Sequence, residues 1–168
     1  MIARAGIALG SNLGNRLEHL ERARDLFRKV SVAGEPFLEA GVYQTAPVAC
    51  PDGSPDFYNT VIEFGFEGTA LELLSVAHSI ESELGRVRGA ERNLPRTLDA
   101  DLLYLGNLRI SSEELELPHP RLTERRFVLV PLDQIRPELI LPGDTQSISD
   151  HLRLLSTAEP DLIPVPGT

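Results

Sequence analysis

The apolar positions of the chain follow two spacings, and their order predicts the fold. Short apolar runs typical of strands occur in four segments, AGIALGSN, FLEAGVYQTAPV, FYNTVIEFGFEG and LDADLLYLG. Apolar residues at helical spacing follow the first and the third of these, in GNRLEHLERARDLFRKV and ALELLSVAHSIESELG. Asn15 and Thr69 are suitable N-caps for the two helices, and Gly85 ends the second.

The resulting order is β-α-β-β-α-β, which predicts a ferredoxin-like α+β fold with both helices on one face of an antiparallel sheet. A C-terminal extension follows, in which LPHPRLTERRFVLVPLDQI begins as a proline-bounded loop and continues into a helix. The proline-rich end, from about residue 155 to 168, is expected to be ordered only in part. The length of 168 residues, without internal repeats, predicts a single domain over 1–168.

Charge and composition exclude several classes of protein. The formal net charge of −9 argues against a dedicated nucleic-acid binder, which needs a basic surface for phosphate contacts. No apolar run approaches the length of a membrane span, and we expect no secretory signal because the apolar stretch at the start is too short. Cys50 is the only cysteine, so neither a disulfide framework nor a thiolate metal site is expected. We expect a cytoplasmic monomer.

Two carboxylates interrupt the last predicted strand. Asp99 and Asp101 lie two residues apart and therefore share one face of the strand. Mg²⁺ prefers such oxygen ligands and usually takes one or two carboxylates, with waters and substrate phosphates completing its shell. A solvated strand face with two acids is the alternative, and at the edge of a sheet it would be the better interpretation. We favour metal binding because we expect this strand to lie inside the sheet, beside a basic loop.

That basic loop is GRVRGAERNLPR, which contains Arg86, Arg88, Arg92 and Arg96 and is opposed only by Glu91. The planar guanidinium group suits phosphate oxygens, which it can bind through two parallel hydrogen bonds. A solvated run of charges is the usual alternative. The neighbouring acidic pair favours phosphoryl transfer, a reaction that needs charge neutralisation and alignment more than a nucleophilic side chain.

Two other motifs carry weaker signals. The turn in LGSNLGN lacks the GxxxxGK[ST] spacing of a phosphate-binding P-loop, so a plain tight turn is the better interpretation. His119 stands between two prolines that restrict its backbone. Beside a phosphate site, such rigid presentation favours a hydrogen-bond donor over a proton shuttle.

The segments IALGSNLGN, FYNTVIEF, ELGRVRGAERNLPRTLDADLLYLG and LPHPRLTERRFVLVPL closely resemble, in the same order, 6-hydroxymethyl-7,8-dihydropterin pyrophosphokinase. The resemblance runs from about Ile7 to about Leu141, and the combination GRVR…ER…PRTLDADLL is its most specific part. It implies an enzyme of the folate pathway. Such an enzyme transfers the β,γ-pyrophosphoryl group of ATP to the hydroxymethyl oxygen of the pterin and releases AMP.

The resemblance also implies roles for individual residues. The expected catalytic residues are Arg86, Arg96, Asp99 and Asp101, with the two aspartates as ligands of two Mg²⁺ ions. The expected ATP contacts are Arg88, His119 and Arg125 at the phosphates or ribose, and the backbone at Leu102, Leu115 and Glu116 at the adenine. The expected pterin contacts are Thr45, Ala46, Val48, Phe57, Asn59 and Phe127.

Among the pterin contacts, Phe57 and Phe127 match the family's two stacking aromatics, and Asn59 matches the side chain that reads the amide edge of the ring. Without the resemblance, both phenylalanines would be interpreted as core. Some members have tyrosine in place of Phe57, tryptophan in place of Asn93 and tyrosine in place of Pro120. We expect stacking to survive the first change, whereas the other two put a lid contact and a nucleotide contact in question.

Two other classes of function remain as alternatives. A magnesium-dependent nuclease or nucleotidyltransferase would also use paired acids and arginines, but the acidic net charge argues against it. A non-catalytic ferredoxin-like binding module would have no turnover and no need for the acidic pair.

Overall fold

The computed structural model describes residues 1–46, 56–85, 97–155 and 161–168. Its strands are β1 (Ile2–Ser11), β2 (Leu38–Glu39), β3 (Tyr43–Thr45), β4 (Phe57–Glu67), β5 (Asp99–Leu105), β6 (Ile110–Ser111), β7 (Glu116–Leu117) and β8 (Ile163–Pro164). Its α-helices are α1 (Arg16–Val30), α2 (Ala70–Glu83), α3 (Arg126–Ile135) and α4 (Ile148–Leu154), and a short 3₁₀ helix covers Leu122–Glu124.

The main sheet is antiparallel and has the order β5-β1-β4-β3-β8, with β2 also paired to β4. The predicted α+β fold is confirmed, because β1-α1-β3-β4-α2-β5 reproduces the expected succession. The predicted second strand is divided into β2 and β3, which pair with different parts of β4. Strands β6 and β7 form a separate two-stranded sheet.

The caps explain where the first two helices begin. The side-chain oxygen of Asn15 accepts a hydrogen bond from the backbone N–H of Glu18. Thr69 and Glu72 form a reciprocal capping box at the start of α2. Gly85 follows α2 with a φ of +95°, a left-handed conformation that glycine adopts without a Cβ clash. All three predicted boundary residues are therefore confirmed.

Helices cover both faces of the sheet. Helices α1 and α2 pack on one face, where Phe27 and Leu73 join Ile7 in a buried cluster. Helices α3 and α4 pack on the opposite face, where Leu129 and Ile148 belong to a second cluster. The prediction that the first two helices share a face is confirmed, and the extension supplies the layer that covers the other face.

The prediction that the strand of Asp99 and Asp101, β5, lies inside the sheet is wrong. Among the described residues β5 pairs only with β1 and ends the sheet order. The reason is topological: α2 carries the chain from β4 across β1, so β5 is added on the outer side of β1. The acidic pair thus stands on an edge strand, and its interpretation as a metal site has to rest on its surroundings.

Residues 161–168 join the opposite end of the sheet. Strand β8 pairs with β3, and the backbone N–H of Val165 donates to the carbonyl of Val42 over 2.8 Å. Thr168 Oγ1 accepts a hydrogen bond of 3.0 Å from the N–H of Val42. Within the described ranges, no helix is long and apolar enough to cross a membrane.

Candidate active site

The strand register places candidate site residues in a row across three neighbouring strands. Gly10 of β1 lies opposite Asn59 of β4 on one side and opposite Asp99 of β5 on the other. Asp101 lies opposite Ala8, one step further along the same face. Since side chains alternate between faces, these polar groups share the face that α3 and α4 cover. At strand spacings of about 4.8 Å, the backbones of Asn59 and Asp99 are about 10 Å apart.

The acidic pair has the donor chemistry of a magnesium site that is completed by substrate. Asp99 and Asp101 are both half-buried. No group of three or more histidine, cysteine, aspartate or glutamate side chains suited to a metal occurs in the part of the chain that the structure describes. Mg²⁺ commonly takes one or two carboxylates and fills its shell with phosphate oxygens and water. The pair therefore fits a metal that arrives with a phosphate.

A cavity of about 260 Å³ adjoins this pair at the outer side of β5. Its walls come from β5, from α2 and from the segment around β7. The lining residues are Leu74, His78, Glu81, Ala100, Asp101, Leu102, Glu114, Leu115, Glu116, His119 and Pro120. The structure thereby brings together Asp101 and four of the predicted ATP contacts. The cavity can form here because β5 lies at the edge of the sheet. A further strand beside β5 would fill the space of the cavity.

His119 is held by backbone contacts beside the cavity. Its own N–H donates to the carbonyl of Leu103 over 2.8 Å, and its Nδ1 accepts from the N–H of Arg121 over 3.1 Å. Burial lowers the pKa of His119, the charges of Arg125 and Arg121 lower it further, and Asp99 partly opposes them. The imidazole is therefore neutral at neutral pH and carries its proton on Nε2, since Nδ1 acts as an acceptor.

The predicted pterin contacts of β3 and β4 also lie together. Thr45 pairs with Phe57, and the buried Asn59 donates from Nδ2 to Thr45 Oγ1 over 2.8 Å. A Cβ on Gly10 would lie 2.8 Å from Asn59 Oδ1 and 3.6 Å from Phe57 Cδ1. The missing side chain of Gly10 thus leaves the space that these two residues border. Ala46 follows β3 directly and is exposed.

A family model described as "7,8-dihydro-6-hydroxymethylpterin-pyrophosphokinase (HPPK)" matches residues 6–137. The chain belongs to this family. A Haemophilus influenzae "2-amino-4-hydroxy-6-hydroxymethyldihydropteridine pyrophosphokinase" is 39% identical over 139 residues, which cover 83% of this chain and 85% of that protein. A Bacillus subtilis protein of the same name is 39% identical over 131 residues, covering 78% and 77%.

Longer relatives contain the pyrophosphokinase sequence as one part. The Pneumocystis carinii "Folic acid synthesis protein fol1" is 37% identical over 95% of this chain, which spans only 21% of that protein. The crystal structure of the Plasmodium falciparum "HPPK-DHPS wild type with Pteroate" superposes with a TM-score of 0.73 at 15% identity, over 91% of this chain and 44% of that one. At this identity the superposition shows a shared fold.

The remaining predicted pyrophosphokinase residues fall into two groups. Arg125 and Phe127 lie at the start of α3, where the Arg125 guanidinium is 5.5 Å from the centroid of the Phe127 ring. The others, Val48, Arg86, Arg88 and Arg96, lie outside the described residues. Asn93, at the position of the family's occasional tryptophan, also lies outside them.

Two residues of this candidate site are not predicted by the sequence. In the sequence Gly10 indicates only the end of a strand and a turn, because its place in the site depends on register with two distant strands. Glu81 is 1% exposed and lines the cavity. A signal for it existed, because Glu81 follows Ala77 by one turn on the apolar stripe of α2, where an acid is rarely tolerated.

Proposed function

We propose that this protein transfers the β,γ-pyrophosphoryl group of ATP to the hydroxymethyl oxygen of 6-hydroxymethyl-7,8-dihydropterin, releasing AMP, as a step of folate biosynthesis. The observation that carries the proposal is the row of Asn59, Gly10 and Asp99 across three strands. It sets a candidate pterin contact and a candidate metal ligand on one face, about 10 Å apart. The hydroxymethyl group and the phosphates would meet between them. The names of the two bacterial relatives support the same reaction.

The cavity beside β5 is the proposed adenine site. At about 260 Å³ it is smaller than the roughly 300–1,000 Å³ of sites that enclose a drug-sized ligand, so it suits one ring system of the nucleotide. An edge strand presents backbone N–H and C=O groups that can pair with a ligand. The backbone at Leu102, Leu115 and Glu116 is proposed to contact the base in this way.

The phosphates are proposed to lie between the cavity and the row of polar residues. Asp99 and Asp101 would hold Mg²⁺, with two ions expected, and when bound these ions neutralise phosphate charge. His119, neutral and protonated on Nε2, would donate a hydrogen bond to a phosphate oxygen. Arg125 adds positive charge near His119. Arg86, Arg88 and Arg96 complete the proposed phosphate contacts by resemblance to the family.

The pterin is proposed to lie above Gly10. Asn59 directs Nδ2 to Thr45, and its Oδ1 lies beside Gly10, where it can accept a hydrogen bond. That arrangement suits the amino and ring N–H donors of a pterin. Phe57 and Phe127 are proposed to stack on the ring, with Thr45, Ala46 and Val48 at its border. No protein general base is part of this proposal, so binding and alignment supply most of the catalysis.

The decisive experiment is an AMP-release assay with ATP. It is run with 6-hydroxymethyl-7,8-dihydropterin present or omitted, and with Mg²⁺ present or chelated. We expect AMP and the pterin diphosphate only when both are present. Formation of ADP would contradict the proposed reaction, and cleavage of DNA or RNA in the same buffer would favour the nuclease alternative.

Two variants test the metal ligands in this assay. Asp101→Asn should lower turnover by about 10²-fold or more, because the amide cannot replace the charge of the carboxylate. Asp25→Asn is the matched control, since Asp25 is exposed on α1 and pairs with Arg28 of the same helix. Full activity of the Asp101 variant would remove this residue from the metal site.

The remaining parts of the proposal are a monomeric state, which sedimentation can measure, and a cytoplasmic location.

A further inference from the structure

Glu81 places a carboxylate on the buried face of α2. It is 1% exposed and lies in the same stripe as Ala77 and Ile80, which pack against the sheet. Burying a carboxylate is unfavourable unless hydrogen bonds replace its hydration. The proposed reaction does not require a carboxylate at this position, so a contact that Glu81 makes with the site indicates a role for it.

One partner of Glu81 is the backbone of β5. Glu81 Oε2 accepts a hydrogen bond of 2.9 Å from the backbone N–H of Ala100. Ala100 is the residue between Asp99 and Asp101. Because β5 pairs only with β1 among the described residues, an N–H on its outer edge has no strand to bond to. The side chain of Glu81 takes the place of that strand at this one residue.

The hydrogen bond fixes the part of the backbone from which both aspartates project. A strand with a neighbouring strand on one side only can twist and shift more easily than an internal strand, and even small shifts change the separation of neighbouring carboxylates. Glu81 also lines the cavity together with Asp101. Its position therefore connects α2, the cavity and the acidic pair.

We propose that Glu81 is a positioning residue for the metal–nucleotide complex. By bonding to Ala100 it holds the carboxylates of Asp99 and Asp101 in the arrangement that magnesium and the ATP phosphates require. The inference rests on the proposed function, because it takes the two aspartates as metal ligands. It requires an acceptor oxygen at the distance of a glutamate side chain, which a glutamine also supplies and a leucine or an aspartate does not.

The first measurement is hydrogen exchange of the Ala100 amide by NMR in protein free of metal and nucleotide. Glu81→Leu should speed this exchange by about tenfold or more relative to other β5 amides, since the hydrogen bond is lost. Glu81→Gln should stay within about threefold of the wild type. Glu83 is exposed on the same helix, so Glu83→Leu and Glu83→Gln are matched controls that should change nothing. Should the leucine variant fail to fold, Glu81→Asp retains the charge and should show the same faster exchange.

The second measurement is calorimetric binding of Mg²⁺ with a non-hydrolysable ATP analogue. Glu81→Leu, or Glu81→Asp in its place, should weaken magnesium-dependent binding about tenfold, with a smaller effect on pterin binding, and Glu81→Gln should largely restore it. Unchanged Ala100 exchange, or equal losses of nucleotide and pterin binding, would overturn the inference. Because neither measurement needs turnover, a protein that shows the Glu81 dependence but releases no AMP would refute the proposed function alone.

Discussion

Asn59 donates a hydrogen bond from Nδ2 to Thr45 Oγ1 over 2.8 Å, which joins β4 to β3 at the candidate pterin site. The bond also fixes the orientation of the amide, since Thr45 takes the nitrogen and leaves Oδ1 above Gly10. A buried amide that could rotate would present a donor and an acceptor alternately to a ligand. The hydroxyl of Thr45 therefore determines which atom of Asn59 faces the candidate pterin site.

The first prediction tests this orientation with Thr45→Val. Replacing the hydroxyl by a methyl removes the acceptor and leaves Asn59 Nδ2 without this partner, which should weaken pterin binding about tenfold. The KM for ATP should change much less, because the cavity at β5 is untouched. Thr45→Ser retains the hydroxyl and is the control. Steady-state kinetics with each substrate varied in turn measure both effects. Equal effects of Thr45→Val and Thr45→Ser would contradict the role of the hydroxyl.

The second prediction concerns the space above Gly10. In Gly10→Ala the new methyl would lie 2.8 Å from Asn59 Oδ1, so the amide has to move from its position at the proposed pterin site. We expect pterin binding to fall by about tenfold or more, whereas the free energy of unfolding changes by about 1 kcal/mol or less.

The comparison variant for Gly10 is Gly6→Ala on the same strand face. There the methyl would clash with the Tyr104 ring, so the main effect should be a loss of about 1–3 kcal/mol in stability. Urea unfolding and pterin titration of both variants separate the two effects. Similar pterin affinity in Gly10→Ala and the wild type would show that the ligand does not use this space.

The third prediction concerns the titration of His119. Burial, followed by the charges of Arg125 and Arg121, holds the pKa of His119 below its usual value of 6.5, and Asp99 opposes this. Arg125→Ala should therefore raise the pKa, and Asp99→Asn should lower it further. An NMR titration of the imidazole resonances measures both, and a rise of the pKa in Asp99→Asn would contradict the proximity of the two groups.

The sign of the accompanying stability change follows from linkage. The unfolded chain binds a proton at pH values where folded His119 does not, so the contribution of His119 to stability is present above pH 6.5 and declines as the pH falls below it. His119→Gln should make the urea midpoint less dependent on pH in this acidic range.

The fourth prediction concerns a buried carboxylate away from the site. Glu63 is completely buried and accepts hydrogen bonds from Arg4 Nε at 2.9 Å, from Arg136 Nη1 at 2.7 Å and from the hydroxyl of Tyr104. It thereby ties β4 to β1, to β5 and to the end of α3. Glu63→Gln should lower the free energy of unfolding by about 3 kcal/mol, because two guanidinium groups then face a neutral amide.

Tyr104→Phe is the milder variant of this cluster and should cost about 1 kcal/mol. Both values are measurable by urea unfolding. Turnover per folded molecule should stay unchanged in both variants, and a selective loss of turnover without loss of stability would show that the cluster acts on the reaction.

The sequence was sufficient for the features that depend on local spacing. Asn15 and Thr69 marked the two helix starts because capping requires particular side chains at particular positions. The common face of Asp99 and Asp101 followed from strand alternation. The position of β5 did not follow, since Leu102 and Leu103 are buried on opposite faces and the strand therefore has the composition of an interior one. The pattern of apolar residues indicates which faces of a strand are buried. Whether a strand lies at the edge of a sheet depends on backbone hydrogen bonds, which the side-chain pattern does not indicate.

The same distinction applies to the candidate site. Its titratable residues stood out by type, and the resemblance gave them roles. The roles proposed for Gly10 and Glu81 depend on their contacts with Asn59 and Ala100. These partners are 49 and 19 residues away along the chain. Contacts of this kind depend on register and on helix placement, which only the folded chain determines.

Strand β8 sets when the outer edge of β3 can be covered during synthesis. Thr45 belongs to β3, whose outer edge is covered by residues that follow it by more than a hundred positions, as in the contact between Val42 and Thr168 with a separation of 126. A nascent chain emerging from the ribosome can form β1, β4 and β5 while that edge is still open. The outer edge of β3, the strand that carries Thr45, is therefore the last part of the sheet to be covered, after β1, β4 and β5 have left the ribosome.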